Sequence, residues 1–334
     1  MSESIAGQHD IGAKFNKNKL DLFWNFVHER QSIWHRRVVE NQSEPWTSDP
    51  VLQNNRFTNV YRKLDPGTQY AIQNILEVDA TKADKIFNIM IYRLIGRLDT
   101  HKHIGFQSLS DFSSEEFENS LKQRRDVEGQ TVFTGAYMVA GYSQMGSSDK
   151  VENIAMLFDE ISSDKSFFDE LLSAKSAKQA YNKIRSQQGF GNFLSYQVLV
   201  DLLYPVNYYS GQSVLPFSAD DWSSPGPGAQ KGIKRLTHDP SQVHDLAIMR
   251  WLRENQRTEF NRLNLDFPYL HNESRDLTEL SLADIQNCLC EFYKYDKIRN
   301  KEGRARRRFR NSEGRSVDEL RSIYESAPTI SLDY

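Results

Sequence analysis

The sequence predicts an all-α protein, and three observations carry that expectation. Apolar residues recur at helical spacing in segment after segment of the 334 residues. The alternation of apolar and polar residues that a half-buried strand requires is almost absent. The links between helical segments are short and polar, as in helix pairs packed around one or two cores. A chain of this length can bury a sizeable core, as one large domain or two intimate ones.

The elements follow in order. Residues 1–17 are polar and rich in Gly, Asn and Lys, and are expected to be a flexible tail. From Asn18 to Asn41, Leu20, Phe23, Trp24, Val27, Trp34 and Val38 give one long amphipathic helix. The stretch "PWTSDPVLQNNRFTNVYRKLD", Pro45 to Asp65, comes next, and its two prolines prevent a continuous helix. Thr81 to Leu98 carries a wide stripe of Ala83, Ile86, Phe87, Met90, Ile91, Leu94 and Ile95, which marks a central helix. His101 and His103 flank a lysine in an expected loop. Helical patterns continue at 113–124, 131–143, 149–161, 165–173, 175–187, 192–204, 229–237, 241–255 and 282–299. Between them, 205–228 collects Pro205, Gly211, Pro216, Pro225, Gly226, Pro227 and Gly228 into a loop too long to be idle. Residues 18–312 form the helical body and 313–334 a C-terminal tail.

Composition narrows the function. Lys and Arg number 42 against 45 Asp and Glu, a formal charge of −3, so any nucleic-acid surface is a local patch on a neutral body. No leader pairs a basic region with an apolar run, and no window approaches the ~18 apolar residues of a membrane span. A soluble cytoplasmic protein, monomeric and without membrane contact, is the expectation. Cys288 and Cys290 lie two apart on the 282–299 helix, about 200° around its axis, which suits neither a disulfide nor a shared metal. His238 and His244 are six apart and join no cluster. No metal and no cofactor are expected.

Three segments can carry chemistry. "QGFGNFLSYQVLVDLLY" sets Gly189 and Gly191 around one residue directly before a helix, where glycine allows close backbone approach and free N–H groups can hold a phosphate. After that helix and a loop, "FSADDW" presents Asp220 and Asp221 beside Trp222. "SSPGPGAQKGIKRL" repeats the pattern, with Gly226 and Gly228 leading into a helix that bears Lys231, Lys234 and Arg235. The third is Lys301 to Arg315, seven basic residues against two acidic.

Glycine hairpin, helix, loop and aspartate is the order of the helix-hairpin-helix DNA glycosylases, which the chain resembles in part. Gln188 stands where that hairpin usually has proline, and the interval from Gly191 to Asp221 is longer than usual. "PWTSDPVLQNNRFTNVYR", "FLSYQVLVDLLY", "PGPGAQKG" and "EFYKYDKIRNKEGRARRRFR" occur in the same order in the alpha-glutamyl/putrescinyl-thymine pyrophosphorylases of bacteria and phages. These are similar in turn to the helical domain of the 5-hydroxymethyl-deoxyuridine DNA kinases. The resemblance covers about residues 20–312. It implies a helix-hairpin-helix DNA-glycosylase-like fold of two intimately packed helical subdomains with a cleft between them, in a bacterial cell or the host of a phage, with DNA containing modified bases as partner.

The expected reaction is hydrolysis of the N-glycosidic bond of a hypermodified pyrimidine, leaving an abasic site, in the service of anti-phage defence. Asp221, with Asp220 second, would stabilise the positive charge that develops on the sugar. Phe57, Asn59, Tyr61, Tyr196, Gln197 and Trp222 would line a pocket for the everted base. Arg56, Arg62, Gly189, Gly191, Gly226, Gly228, Lys231, Arg235, Arg304, Arg306 and Arg307 would meet the backbone. Phe193 occupies the place of the lysine in lyase-type members, so no strand cleavage is expected. The alternative is an amino acid:DNA transferase acting on phosphorylated 5-hydroxymethyl-deoxyuridine. The sequence holds no G-x-x-x-x-G-K-[ST], the phosphate cradle a P-loop kinase needs.

Replacing Arg304, Arg306 and Arg307 by alanine is expected to flatten the dependence of DNA affinity on salt, by about 0.9 in log–log slope for each phosphate no longer neutralised. Binding measured over a series of salt concentrations checks this, and an unchanged slope removes the run from the interface.

Overall fold

The computed structural model describes residues 12, 14–239, 244–272, 276–303, 316–325 and 332. Arg304, Arg306, Arg307 and residues 1–11 lie outside them. The chain is organised as two compact units, one from Met1–Asp65 with Ser223–Tyr334 and the other from Pro66–Trp222.

In the first unit α1 (Lys17–Trp34) is capped by Asn16, whose side chain accepts from Lys19 N at 3.2 Å. Leu20, Phe23, Trp24 and Val27 are fully buried on it. The helix widens into a π turn over His35–Val39, short of Asn41. The preceding Phe15, inside the expected tail, is buried against Trp251, 4.5 Å between ring centroids. α2 (Pro50–Asn54) starts with Asp49 as cap and proline at the first position, where a missing N–H breaks no helical bond.

The second unit runs through α3 (Pro66–Ala71), α4 (Lys82–Ile95), α5 (Leu98–Ile104), α6 (Ser114–Lys122), α7 (Lys150–Ser163), α8 (Lys165–Leu172), α9 (Ala177–Ser186) and α10 (Asn192–Leu202). α4 is opened by a capping box between Thr81 and Asp84. Its Ile86, Phe87, Met90, Ile91, Leu94 and Ile95 are fully buried, the central helix that the apolar stripe predicts. Two expectations fail here. His101 and His103 sit on α5 rather than in a loop, and His101 is buried with its Nδ1 2.9 Å from the Tyr70 hydroxyl. Residues 131–143 form no helix, because tertiary bonds capture their backbone: Thr134 N donates to Ile95 O, and Val132 O and Gly141 O accept from Thr100 and Asn153.

Returning to the first unit, the chain forms α11 (Pro227–Leu236), α12 (Asp245–Arg262), the antiparallel pair β1 (Leu270–His271) and β2 (Leu277–Thr278), then α13 (Leu282–Arg299) and α14 (Val317–Glu325). α14 lies where the sequence suggests a tail. It buries Leu320 and Tyr324, whose hydroxyl donates to Leu64 O at 2.6 Å. Among the described residues the two short strands are the only paired strands with names, so the fold is all-α in substance.

α11 packs on α13 through glycine. A Cβ on Gly232 would stand 2.3 Å from the Leu289 carbonyl oxygen, and one on Gly228 2.3 Å from Cys290 Sγ. The first obstacle is backbone and cannot move alone, whereas the second is a side-chain tip. Gly232→Ala is therefore expected to cost about 1–3 kcal/mol, and Gly228→Ala less. Urea denaturation of both variants checks the ranking, and equal midpoints with the parent would show that the helices part freely.

Candidate functional site

In the first unit the site is built on one face of α13. Asp284, Asn287, Glu291 and Lys294 recur every three or four residues and therefore line up. Each holds the backbone of the segment before Asp65. Asp284 Oδ1 accepts from Arg62 N at 2.8 Å, and Asn287 Nδ2 donates to Asn59 O at 2.9 Å. Glu291 Oε2 accepts from Thr58 N at 3.1 Å, and Lys294 Nζ donates to Arg56 O at 3.0 Å. Tyr295 adds a bond from its hydroxyl to Asp49 at 2.6 Å. The segment is thus stitched along a helix rather than free to wander.

The side chains expected to form a base pocket hold internal positions. Phe57 is buried between Phe26 and Tyr295, with Lys294 Nζ 4.5 Å over its ring. Asn59 is buried; its Oδ1 accepts from Arg30 at 2.7 Å and its Nδ2 donates to Leu64 O at 2.8 Å. Tyr61 is buried and donates to Thr278 O at 2.6 Å. Arg62 is buried, Arg56 and Lys231 are exposed, and Arg235 forms a two-pronged pair with Glu302.

Behind Asn59 lies a charged cluster that the motifs did not single out. Asp65 accepts from Asn59 N at 2.9 Å, and burial pushes its carboxyl up to about 6 against the opposing pull of that N–H, Arg62 and Arg30. Burial also lowers Arg30, partly offset by Asp65 and Glu291, and brings the Lys63 amine down to about 8. Burial raises the Asp284 carboxyl, which Arg62 N and Ser281 partly counter. The signal was available: Arg30 lies on the predicted first helix, Asp65 ends the quoted stretch, and Asp284, Asn287 and Glu291 keep helical register.

In the second unit, α9 and α10 are joined by Gln187–Gly191, a helix–turn–helix. Gly189 has φ +86, which side-chain-bearing residues rarely adopt, and a Cβ there would meet Leu157 at 2.7 Å. Gly191 caps α10. The helix is pinned from behind by the buried Asp201, which pairs with Arg93 of α4 through both oxygens at 2.5 and 2.6 Å. That pair raises the Arg93 guanidinium above its ordinary value despite the burial that opposes it. Trp222 lies 4.8 Å from Tyr181 and 6.2 Å from Tyr196 between ring centroids, so two expected pocket residues do meet, and Gln197 follows half-buried. Asp221 is exposed and its Oδ2 closes a turn by accepting from Ser218 N at 2.9 Å. The Asp220 amide donates to Ser218 Oγ at 3.1 Å. Among the described residues no group of three or more His, Cys, Asp or Glu could hold a metal, and no helix is long and apolar enough to cross a membrane.

The sequence family described as "5-hmdU DNA kinase, helical domain" matches residues 17–305. The chain belongs to that family. A 5-hmdU DNA kinase of Bacillus phage SP10 is 31% identical over 291 residues, which cover 82% of this chain and 44% of the phage protein. The chain therefore matches less than half the length of that kinase. No solved structure matches.

This membership corrects the expected reaction. The 5-hmdU DNA kinase family is named for phosphorylation, a group transfer, and the glycosylase reading falls with its defence role.

Asp65 carries a pH dependence with a definite sign. Its carboxyl titrates near 6 in the folded protein against an ordinary 3.8, so the folded state binds the extra proton between these values. Its stabilising contribution is present below about pH 3.8 and is lost as pH rises through 6. Asp65→Asn keeps an acceptor for the Asn59 amide and removes the titration. At neutral pH the variant is expected to exceed the parent by about 1–3 kcal/mol in urea unfolding, with the gap closing toward pH 4. A gap that does not change with pH overturns the assignment.

Proposed function

We propose that the chain is the DNA-holding helical module of a group-transfer step in thymine hypermodification. It would present a 5-hydroxymethyl-deoxyuridine base, free or phosphorylated, so that reaction occurs at the 5-methylene substituent. The family match over residues 17–305 carries this reading. The sequence supplies a supporting argument: it has no P-loop motif, so a nucleotide's phosphates have no such cradle here and the module's part is to bind and place the DNA. On this reading the base is everted from the stack for reaction, which calls for aromatic surfaces and exposed cations near the backbone. In the second unit the half-buried Trp222, packed on the buried Tyr181 and Tyr196, offers the first; the exposed Arg56 and Lys231 are cations of the first unit, taken by itself.

Within this reading, transfer of an amine onto the phosphorylated base, as in the pyrophosphorylases the sequence resembles, is the second form. There the amine nitrogen would bond to the 5-methylene carbon as its C–O bond breaks and the phosphate or pyrophosphate leaves, so the step needs the phosphorylated DNA and an amine, and no nucleotide site.

The full chain is expected to bind duplexes bearing 5-hydroxymethyl-deoxyuridine, or its phosphorylated form, at least about tenfold more tightly than the same duplexes bearing thymine, a difference near 1.4 kcal/mol. Gel shifts at low salt measure it. Nucleoside mass spectrometry after incubation with ATP, or with phosphorylated DNA and an amine, then tells a gained phosphoryl group from a gained amine. Equal affinity for thymine DNA, or no binding at low salt, overturns the proposal.

A further inference from the structure

Lys85, on the second turn of α4, is fully buried, and its Nζ has no hydrogen-bond acceptor among the described residues. Two aromatic faces enclose it instead. The Nζ lies 3.6 Å from the ring centroid of Tyr208 and 4.2 Å from that of Tyr209. The Tyr209 hydroxyl is likewise buried without a partner among the described residues. The rings arrive on the loop 205–212, closed by a bridge between Val206 and Gln212 and turned by Ser210 and Gly211 at positive φ. Glu77 holds the loop in place by accepting from Asn207 N and Tyr208 N, both at 2.8 Å, and the Tyr208 hydroxyl donates to Asp79 at 2.6 Å. Lys82, one turn earlier, donates to Val214 O and stands 5.1 Å from the Tyr209 ring. Tyr208 is 42% exposed and forms the outer wall.

An ammonium between two rings gains cation–π attraction, but without an acceptor it remains poorly solvated. A methionine or leucine would fill the same space without that cost. The charged groups facing the amine are Glu77, Asp79 and Lys82, and the titratable neutral ones are the two tyrosines; burial outweighs the two carboxylates and brings the amine down to about 8.

We propose that Lys85 is a covalent amine site, whose Nζ condenses with the carbonyl of a small aldehyde or ketone admitted when Tyr208 swings outward. The nitrogen lone pair forms the C–N bond while the carbonyl π pair passes to oxygen, which takes a proton. The carbinolamine then loses that oxygen as water together with the remaining nitrogen proton, leaving an imine, and no oxidant is involved. The buried Tyr209 hydroxyl, on the ring that walls the amine, is the group assigned to give a proton to the departing oxygen, and it regains one from the nitrogen.

The magnitude favours a test at near-neutral pH. At pH 7.5 an amine of pKa about 8 is neutral in roughly a quarter of molecules, and an ordinary lysine in roughly one per thousand. Lys85 thus begins with an advantage of about two hundredfold, against which the opening of the loop must be set.

The full chain is treated with benzaldehyde and sodium cyanoborohydride at pH 7.5, and alkylation is mapped by peptide mass spectrometry with exposed Lys178 as reference. Lys85 is expected to react at least about tenfold faster than Lys178, in the parent or once Tyr208→Ala removes the outer wall. Tyr209→Phe is expected to slow it, and Lys85→Met to abolish that one adduct while leaving the Lys178 rate as it was. Reaction of Lys85 no faster than Lys178 in both the parent and Tyr208→Ala overturns the proposal.

Discussion

The first unit depends on α13 serving two neighbours at once. One face, Asp284, Asn287, Glu291 and Lys294, carries the backbone of the Arg56–Arg62 segment, and another receives α11 at a distance only glycine permits. These demands are coupled through a single rigid helix. Asp284 shows the coupling most directly. Its Oδ2 accepts from the Ser281 amide at 2.9 Å to begin the helix, while Oδ1 holds Arg62 N at 2.8 Å. A shift in the helix start is therefore a shift in the segment.

What the sequence made legible follows from how each signal is generated. α13 occupies the predicted 282–299, and α4 is as central as its apolar stripe implies, because hydrophobic period and caps agree there. Residues 131–143 have an apolar composition suited to a helix, yet their backbone bonds go to Ile95, Thr100 and Asn153, partners far away in sequence. No local pattern records such bonds. α14 was hidden by length and context, although Leu320, Ile323 and Tyr324 keep helical spacing.

Glycine is the most degenerate of these signals. It marks a positive φ, a close approach to a ligand, or a close approach to another part of the protein itself, and the sequence looks the same in each case. Gly189 combines the first and third, with φ +86 and Leu157 where a Cβ would be. Gly228 and Gly232 belong to the third, against Cys290 and Leu289. The same degeneracy explains why the sequence points toward a glycosylase. A hairpin followed by a helix and an aspartate describes a scaffold, and a scaffold does not choose among reactions on a flipped base.

Charge gives the proposed role its remaining constraint. Many cations of the first unit are neutralised at home: Arg235 by Glu302, Arg262 by Glu259 and Asp21, and Arg253 and Arg257 by Glu279. With a net charge of −3, long-range attraction to DNA is weak, and phosphate affinity must be local. Residues 301–315, with seven basic side chains, are the densest such source in the sequence. Phosphate pairing of that kind holds every sequence alike, so discrimination of a modified base has to come from elsewhere. On the proposed reading, affinity and recognition are therefore separable in this chain. On that reading the arginine run would govern how tightly DNA is held, and the aromatic and polar groups of the helical body would govern which base is accepted.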